Sequence, residues 1–370
     1  MRGRRRPSFG PWGAVAAAAT IAAVLPFAGS WAAADREPDQ NPAAQARPEP
    51  TQARAEPAPA SAAPAPEARV PAAPSRREPA VAPKNRVALG AFVPGATRRP
   101  VLFKRYARQT GHRPAILAYY RGWRDGQIFD RLTLNRVARE GATPMITWEP
   151  WHQPLREIAA GRYDAYIRSS ARDARRWGRP ILLRLAHEMN GDWYPWGSRD
   201  NPPLTYVRAW RQVVRIFRKQ GADNVRFAWT PNVDTGGPAL MKRLYPGDRW
   251  VDWVGLSGFS WGGPWQWESA LDVFRDSYRW ITRMTKKPFL IAEISAGEVG
   301  GDKARWIERT FAKDLPRLPR VRAVVWFNAR HDWAEFAVDS SRASLRAFRK
   351  GVADPRYSGT PDDVNQGGLG

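Results

Sequence analysis

The chain has 370 residues and no cysteine, which excludes a disulfide-stapled scaffold, and its four histidines offer little to a transition metal; neither a metal nor a cofactor is expected. The formal net charge of +24 comes mostly from arginine spread along the whole length, and no nucleic-acid-binding motif accompanies it. Solvated helix faces account for such a charge, with attraction to anionic wall polymers or a membrane surface as the functional alternative.

Residues 10–34 are uncharged and rich in Ala, Val and Ile; Arg2, Arg4, Arg5 and Arg6 precede them, and Ala32, Ala33 and Ala34 come just before Asp35. This is the layout of a secretory signal peptide, 1–34, cleaved after Ala34, and it places the working protein outside the cytoplasm. The same run is long enough to span a bilayer as an uncleaved anchor, although Pro26 and Gly29 interrupt it. The arginines also hint at twin-arginine export. Residues 35–85 are mostly Ala, Pro, Glu and Arg, with too few large apolar side chains for a core, and read as a disordered, semi-stiff linker. About 260 residues are left for one large core, assigned to 86–350. The tail is assigned to 351–370, and its last residues, 358–370, are rich in Gly, Asp, Asn and Pro and are expected to fray.

Within 86–350, apolar runs recur at 86–93, 115–120, 144–148, 180–183, 224–229, 251–256, 288–292 and 321–326. The gaps carry helical patterns. Between the fourth and fifth runs, Val207, Trp210, Val214 and Phe217 share one helical face, with Arg208, Arg211, Arg215 and Arg218 largely off it. Pro202 and Pro203 suit the start of that helix and Gly221 its end. Strand and helix repeated eight times predict an α/β fold, a closed (β/α)8 TIM barrel. An open doubly wound sheet is the alternative, but no Gly-rich phosphate loop follows the first strand.

A parallel barrel delivers its chemistry at the carboxyl ends of its strands. Glu188 follows the fourth run and Glu293 the seventh, so both are expected on that rim as the catalytic pair. Two such carboxyls suffice to cleave a glycosidic bond: one, kept protonated by burial and by its neighbour, donates to the leaving oxygen, and the other attacks or activates water. For either, a salt bridge to one of the many arginines is the bland alternative. Glu149, at the end of the third run, is the main rival carboxylate, with Glu298 and Glu335 behind it. Arg184, if buried, needs a carboxylate partner.

His187 and Asn190 flank Glu188 and are read as binding substrate hydroxyls, with a satisfied core role for His187 as the alternative. His187-Glu188 lacks the second histidine that a zinc helix needs. Of the 19 tryptophans, Trp193, Trp196, Trp261, Trp265 and Trp267 lie in rim loops, and Trp148, Trp151 and Trp326 at or just past strand ends. Indole faces suit sugar rings, so Trp148, Trp193, Trp196, Trp261 and Trp326 are expected to line the substrate site; core packing is the alternative for each.

The segment Arg184-Leu185-Ala186-His187-Glu188-Met189-Asn190-Gly191, followed by Trp193 and Trp196-Gly197, resembles the acid/base motif of glycoside hydrolase family 26. Pro288-Phe289-Leu290-Ile291-Ala292-Glu293 is similar to that family's nucleophile strand. Trp148-Glu149-Pro150 and the stretch 251–258 resemble its third- and sixth-strand text, and the likeness covers roughly residues 86–350. The resemblance implies a retaining endo-β-glycanase, with Glu188 as acid/base and Glu293 as nucleophile. It implies a β-1,4-mannan substrate foremost, with β-1,3-xylan or mixed-linkage β-glucan as family variants. A monomer acting on polysaccharide is expected. The family often places a tyrosine after the sixth strand to hydrogen-bond the nucleophile; that position here is Phe259, which has no hydroxyl. This substitution favours a second reading, a barrel that binds exopolysaccharide without cutting it.

Overall fold

The computed structural model describes residues 86–233, 235–262, 267–331 and 334–367. The signal peptide, the whole linker and Trp265 lie outside them. Eight parallel strands close into a barrel in chain order: β1 (Ala88–Phe92), β2 (Ile116–Gly122), β3 (Thr143–Glu149), β4 (Ile181–Leu185), β5 (Val225–Trp229), β6 (Trp253–Ser260), β7 (Phe289–Ala296) and β8 (Val321–Phe327), with β8 pairing back onto β1. Every predicted strand is present, and helices fill the gaps. β6 and β7 each run four residues past the expected end, so Phe259 and Glu293 lie within strands rather than after them.

The helix Pro203–Lys219 shows how sequence becomes packing. Pro203 opens it, where a missing N–H costs nothing, and Gly221 follows it in the left-handed region at φ 66°. Val207, Trp210, Val214 and Phe217 are buried, while Arg208, Arg215 and Arg218 are exposed. Each large apolar side chain buried in this way contributes roughly 1.5–3 kcal/mol.

Strand side chains alternate between the barrel interior and the helix layer. The interior holds Ala88, Ile116, Ala118, Met145, Leu182, Trp253, Leu290 and Ala292; the outward set, under the helices, includes Ile146, Leu183, Phe227, Leu256 and Val324. Toward the carboxyl end the inward positions turn polar: Tyr120 on β2, Thr147 and Glu149 on β3, Arg184 on β4 and Ser257 on β6.

The tail does not fray over its described length. Val87 donates to the Arg356 carbonyl at 2.8 Å, Gly359 donates back to Val87 at 3.1 Å, and Arg86 pairs with Asp363 at 3.0 Å. The helix Pro361–Gly367 buries Val364 among the interior residues. The tail packs against the amino-terminal end of the barrel through Val364, and its Val352 and Tyr357 are buried as well.

Candidate active site

Glu293 reaches the barrel mouth because β7 is bulged. Leu256 pairs with Ile291 but Ser257 pairs with Glu293, so Ala292 is an extra residue between them. Ala292 already faces inward, and strict alternation would turn Glu293 outward into the helix layer. The extra residue reverses the parity, as bulges beside functional sites do. Glu293 then faces the same side as its cross-strand partner Ser257.

Around Glu293 the polar side chains are tied together by Arg184. Arg184, 0% exposed, donates from Nη1 to Glu293 Oε1 at 2.5 Å, from Nε to Thr230 Oγ1 at 2.7 Å, and from Nη2 to Ser257 Oγ. Burial works against the Arg184 cation, but the acidic groups around it, Glu293 first, more than compensate and its pKa stands above the ordinary value. The buried cation thus has the carboxylate partner the sequence demanded. The hydroxyl missing at Phe259 is supplied from across the barrel: Tyr120 on β2 donates to the same Oε1. Both donors are on Oε1, and Oε2 accepts from neither.

Phe259 itself is buried in an apolar cluster with Phe327, Ala329, Ala334 and Phe336, with Phe92, Tyr120 and Trp261 packed against it. Tyr120→Phe is expected to lower kcat by about 10- to 100-fold, the worth of a hydrogen bond to a charged group, without lowering Tm. Unchanged turnover of soluble glycan would remove Tyr120 from the site.

Glu188 sits just past β4 in a strained turn. Ala186 and Glu188 have φ of 41° and 50°, a region few residues other than glycine adopt. The turn is pinned on three sides: Ala186 donates to the Trp148 carbonyl at 3.0 Å, Glu188 to the Thr230 carbonyl at 2.9 Å, and Trp196 Nε1 to the His187 carbonyl at 2.6 Å. The Glu188 carboxyl accepts from Trp193 Nε1 at 2.9 Å and from the Asn232 side chain. Gly191 permits this, because a Cβ there would lie 2.5 Å from the Trp193 ring. Burial first, then the charge of Glu293, pushes the Glu188 carboxyl up to about 7. Glu188 is thus held by neutral donors with its proton favoured, while Glu293 is ion-paired to Arg184 and hydrogen-bonded to Tyr120.

The other expected site residues divide. Trp193 and Trp261 keep part of their surface exposed and remain at the mouth. Trp148, Trp196 and Trp326 do not: all are buried, with Trp148 stacked on Trp123 at 4.6 Å and Trp196 on Tyr194 at 4.5 Å. Trp326 donates to the Phe336 carbonyl at 3.1 Å and packs on Phe348. Trp148 and Trp326 occupy outward strand positions, which face helices and not sugar. Asn190 is also spent within the protein. Its Nδ2 donates to the carbonyls of Asn232 and Thr235, both at 2.9 Å, and its Oδ1 accepts from Asn232 N at 2.8 Å. It ties the β4 loop to the β5 loop and leaves no amide group for substrate. His187 is 1% exposed, its Nε2 3.1 Å from the Tyr194 hydroxyl. Burial, then Arg184, hold its pKa well below the ordinary value, so it stays neutral.

Sequence reasoning missed Tyr120, Asn232 and Tyr194. The only signal for Tyr120 and Asn232 was their place at the carboxyl ends of strands; Tyr194 lay inside the quoted motif.

The sequence profile of glycosyl hydrolase family 26 matches residues 163–310, a span that includes Glu188 and Glu293. Endoglucanase H of Acetivibrio thermocellus is 36% identical over 275 residues, 71% of this chain and 30% of that protein. β-1,3-Xylanase TXYA of a Vibrio species is 31% identical over 192 residues, 50% of this chain and 38% of the xylanase. The chain thus spans well under half the length of either curated relative. Among solved structures, a modular endo-β-1,4-mannanase from Cellulomonas fimi shares the fold, with a TM-score of 0.59 and 20% identity over 75% of this chain and 72% of that one. On the profile match and the long alignment with endoglucanase H, this chain belongs to glycosyl hydrolase family 26.

Proposed function

We propose that the chain is an exported, retaining endo-β-glycanase. The observation that carries this reading is the contrast between two buried carboxyls at one barrel mouth. Glu188 is pushed up to about 7 and held by two neutral donors, while Glu293 is ion-paired to Arg184. Glu188 protonates the glycosidic oxygen as Glu293 Oε2 attacks the anomeric carbon, forming a glycosyl-enzyme. Glu188 then takes a proton from water, and the sugar leaves with its configuration retained. Trp193, whose indole N–H holds Glu188, and Trp261 are the ring faces placed to meet sugar.

A β-1,4-mannan is the first substrate reading, supported by the sequence motifs and by family membership. The higher identity with a protein named endoglucanase favours a β-glucan as the second. The non-cutting reading rested on Phe259, and it loses that support because Tyr120 supplies the hydroxyl. Export is supported by the uncharged run at 10–34; no helix among the described residues is long and apolar enough to cross a membrane. Action as a monomer on polysaccharide, with the net positive charge drawing the chain toward anionic wall or membrane surfaces, completes the reading.

The test is release of reducing ends from mannan, xylan, lichenan and other β-glucans, with proton NMR of the first product. The β-anomer is expected first. An α-anomer first would replace retention with inversion, and glycan binding with no new ends would restore the non-cutting barrel.

A further inference from the structure

Glu149, set aside by the two-glutamate scheme, is the last residue of β3 and 1% exposed. Its Oε2 accepts from Trp151 Nε1 at 3.1 Å. Its Oε1 has no hydrogen-bond partner among the described residues, and neither has Nδ1 of the equally buried His187. The two orphaned atoms are 4.0 Å apart. Buried polar atoms rarely stay unpaired, and a shift of about 1 Å brings these within hydrogen-bond distance.

Two proton orders close that contact. If Glu149 were ionised, His187 would donate from Nδ1, its Nε2 would accept from Tyr194, and the Tyr194 proton would point away from the mouth. If Glu149 carries the proton, it donates to Nδ1, Nε2–H donates to the Tyr194 oxygen, and the Tyr194 proton is released. The surroundings select the second order. Trp151, Asp125, Glu293, Arg184 and His187 are the polar and charged groups around Glu149. Of these, Arg184, the sole cation, is spent on Glu293, Thr230, Thr147 and Ser257. Burial pushes the Glu149 carboxyl up to about 8, and His187 is held neutral. Tyr194 stands within the field of Glu188, Glu149 and Glu293, on the same side as the reacting pair.

We propose that Glu149 is a positioning residue that works as a buried carboxylic acid, donating to His187 Nδ1, fixing that ring with its proton on Nε2, and thereby aiming the Tyr194 hydroxyl proton at the sugar between Glu188 and Glu293. The last link rests on the glycanase reading; the proton order does not.

Glutamine mimics a protonated carboxyl: its amide donates to Nδ1 while its carbonyl accepts from Trp151. The full chain, labelled with ¹⁵N-histidine, has only four ring signals, and His187→Gln assigns the relevant one. Two-bond ¹⁵N–¹H spectra are expected to show His187 as the neutral Nε2–H tautomer, in wild type and in Glu149→Gln, from about pH 5 to about pH 7. Glu149→Gln keeps kcat within about threefold of wild type, and Glu149→Met lowers it about tenfold or more with KM little changed. An Nδ1–H tautomer in the wild type, or loss of the Nε2–H form in Glu149→Gln, overturns the proposal even if Glu149→Met does not fold. An Nε2–H tautomer in a protein that cuts no glycan sustains the relay and refutes the glycanase reading instead.

Discussion

Glu293→Gln is expected to lower kcat on soluble glycan by about 10⁴- to 10⁶-fold while leaving the circular dichroism spectrum close to wild type and lowering Tm less than Glu293→Ala does. The glutamine keeps an oxygen where Arg184 and Tyr120 donate, so those hydrogen bonds survive while the nucleophile and its charge are lost. Glu293→Ala loses the same activity but carries a second cost. It leaves Arg184, which has no exposure to solvent, with neither the charge nor the acceptor of Glu293, a change worth about 3–5 kcal/mol of stability. The pair of variants separates chemistry from folding. Normal turnover in Glu293→Gln would remove Glu293 from its role, and an unchanged Tm in Glu293→Ala would show that the ion pair is not part of what holds the barrel.

Glu188→Gln is expected to lower kcat on polysaccharide by about 10²- to 10⁴-fold, the range for loss of a general acid. The loss should shrink on an aryl glycoside with a good leaving group, which departs without being protonated. The pH dependence follows from the raised carboxyl. Glu188 carries its proton below about 7, so activity falls as pH climbs through that value, and the variant loses this alkaline limb. The stability sign runs the same way. The native state holds this proton more tightly than the unfolded chain, whose glutamate releases it near 4.5. Stability therefore declines as pH rises from about 4.5 to about 7, and Glu188→Gln should gain Tm over wild type at alkaline pH but not in acid. A wild-type rate that stays flat through neutrality into alkali would count against Glu188 as the acid.

The motif around Glu188 could be read directly because it is contiguous: a buried strand, a turn and an acid in sequence order. Glu293 was legible only as an acid near a strand end. The reading placed it after β7, whereas it lies within the strand and faces the mouth through the bulge at Ala292. Nothing in Leu290-Ile291-Ala292-Glu293 announces that bulge, since it exists only relative to the register of β6.

The tryptophans mark where local reading stops. Trp148 and Trp326 stand near the carboxyl ends of their strands, as expected, yet face outward onto helices. A strand buried on both sides is apolar at every position, so its hydropathy carries no alternation to tell interior from exterior. Asn190 fails for a related reason: its partners, Asn232 and Thr235, belong to the neighbouring loop more than forty residues away.

By itself the sequence determined the eightfold alternation of strand and helix, the helix faces and the two acids offered to the rim, because each depends on neighbours within a few residues. Only the tertiary structure decided which oxygen of Glu293 is tied down, that Tyr120 supplies the hydroxyl Phe259 lacks, and which aromatic rings reach the mouth. Those outcomes depend on barrel closure, which sets side chains from distant strands at hydrogen-bond distance and turns one face of each strand inward.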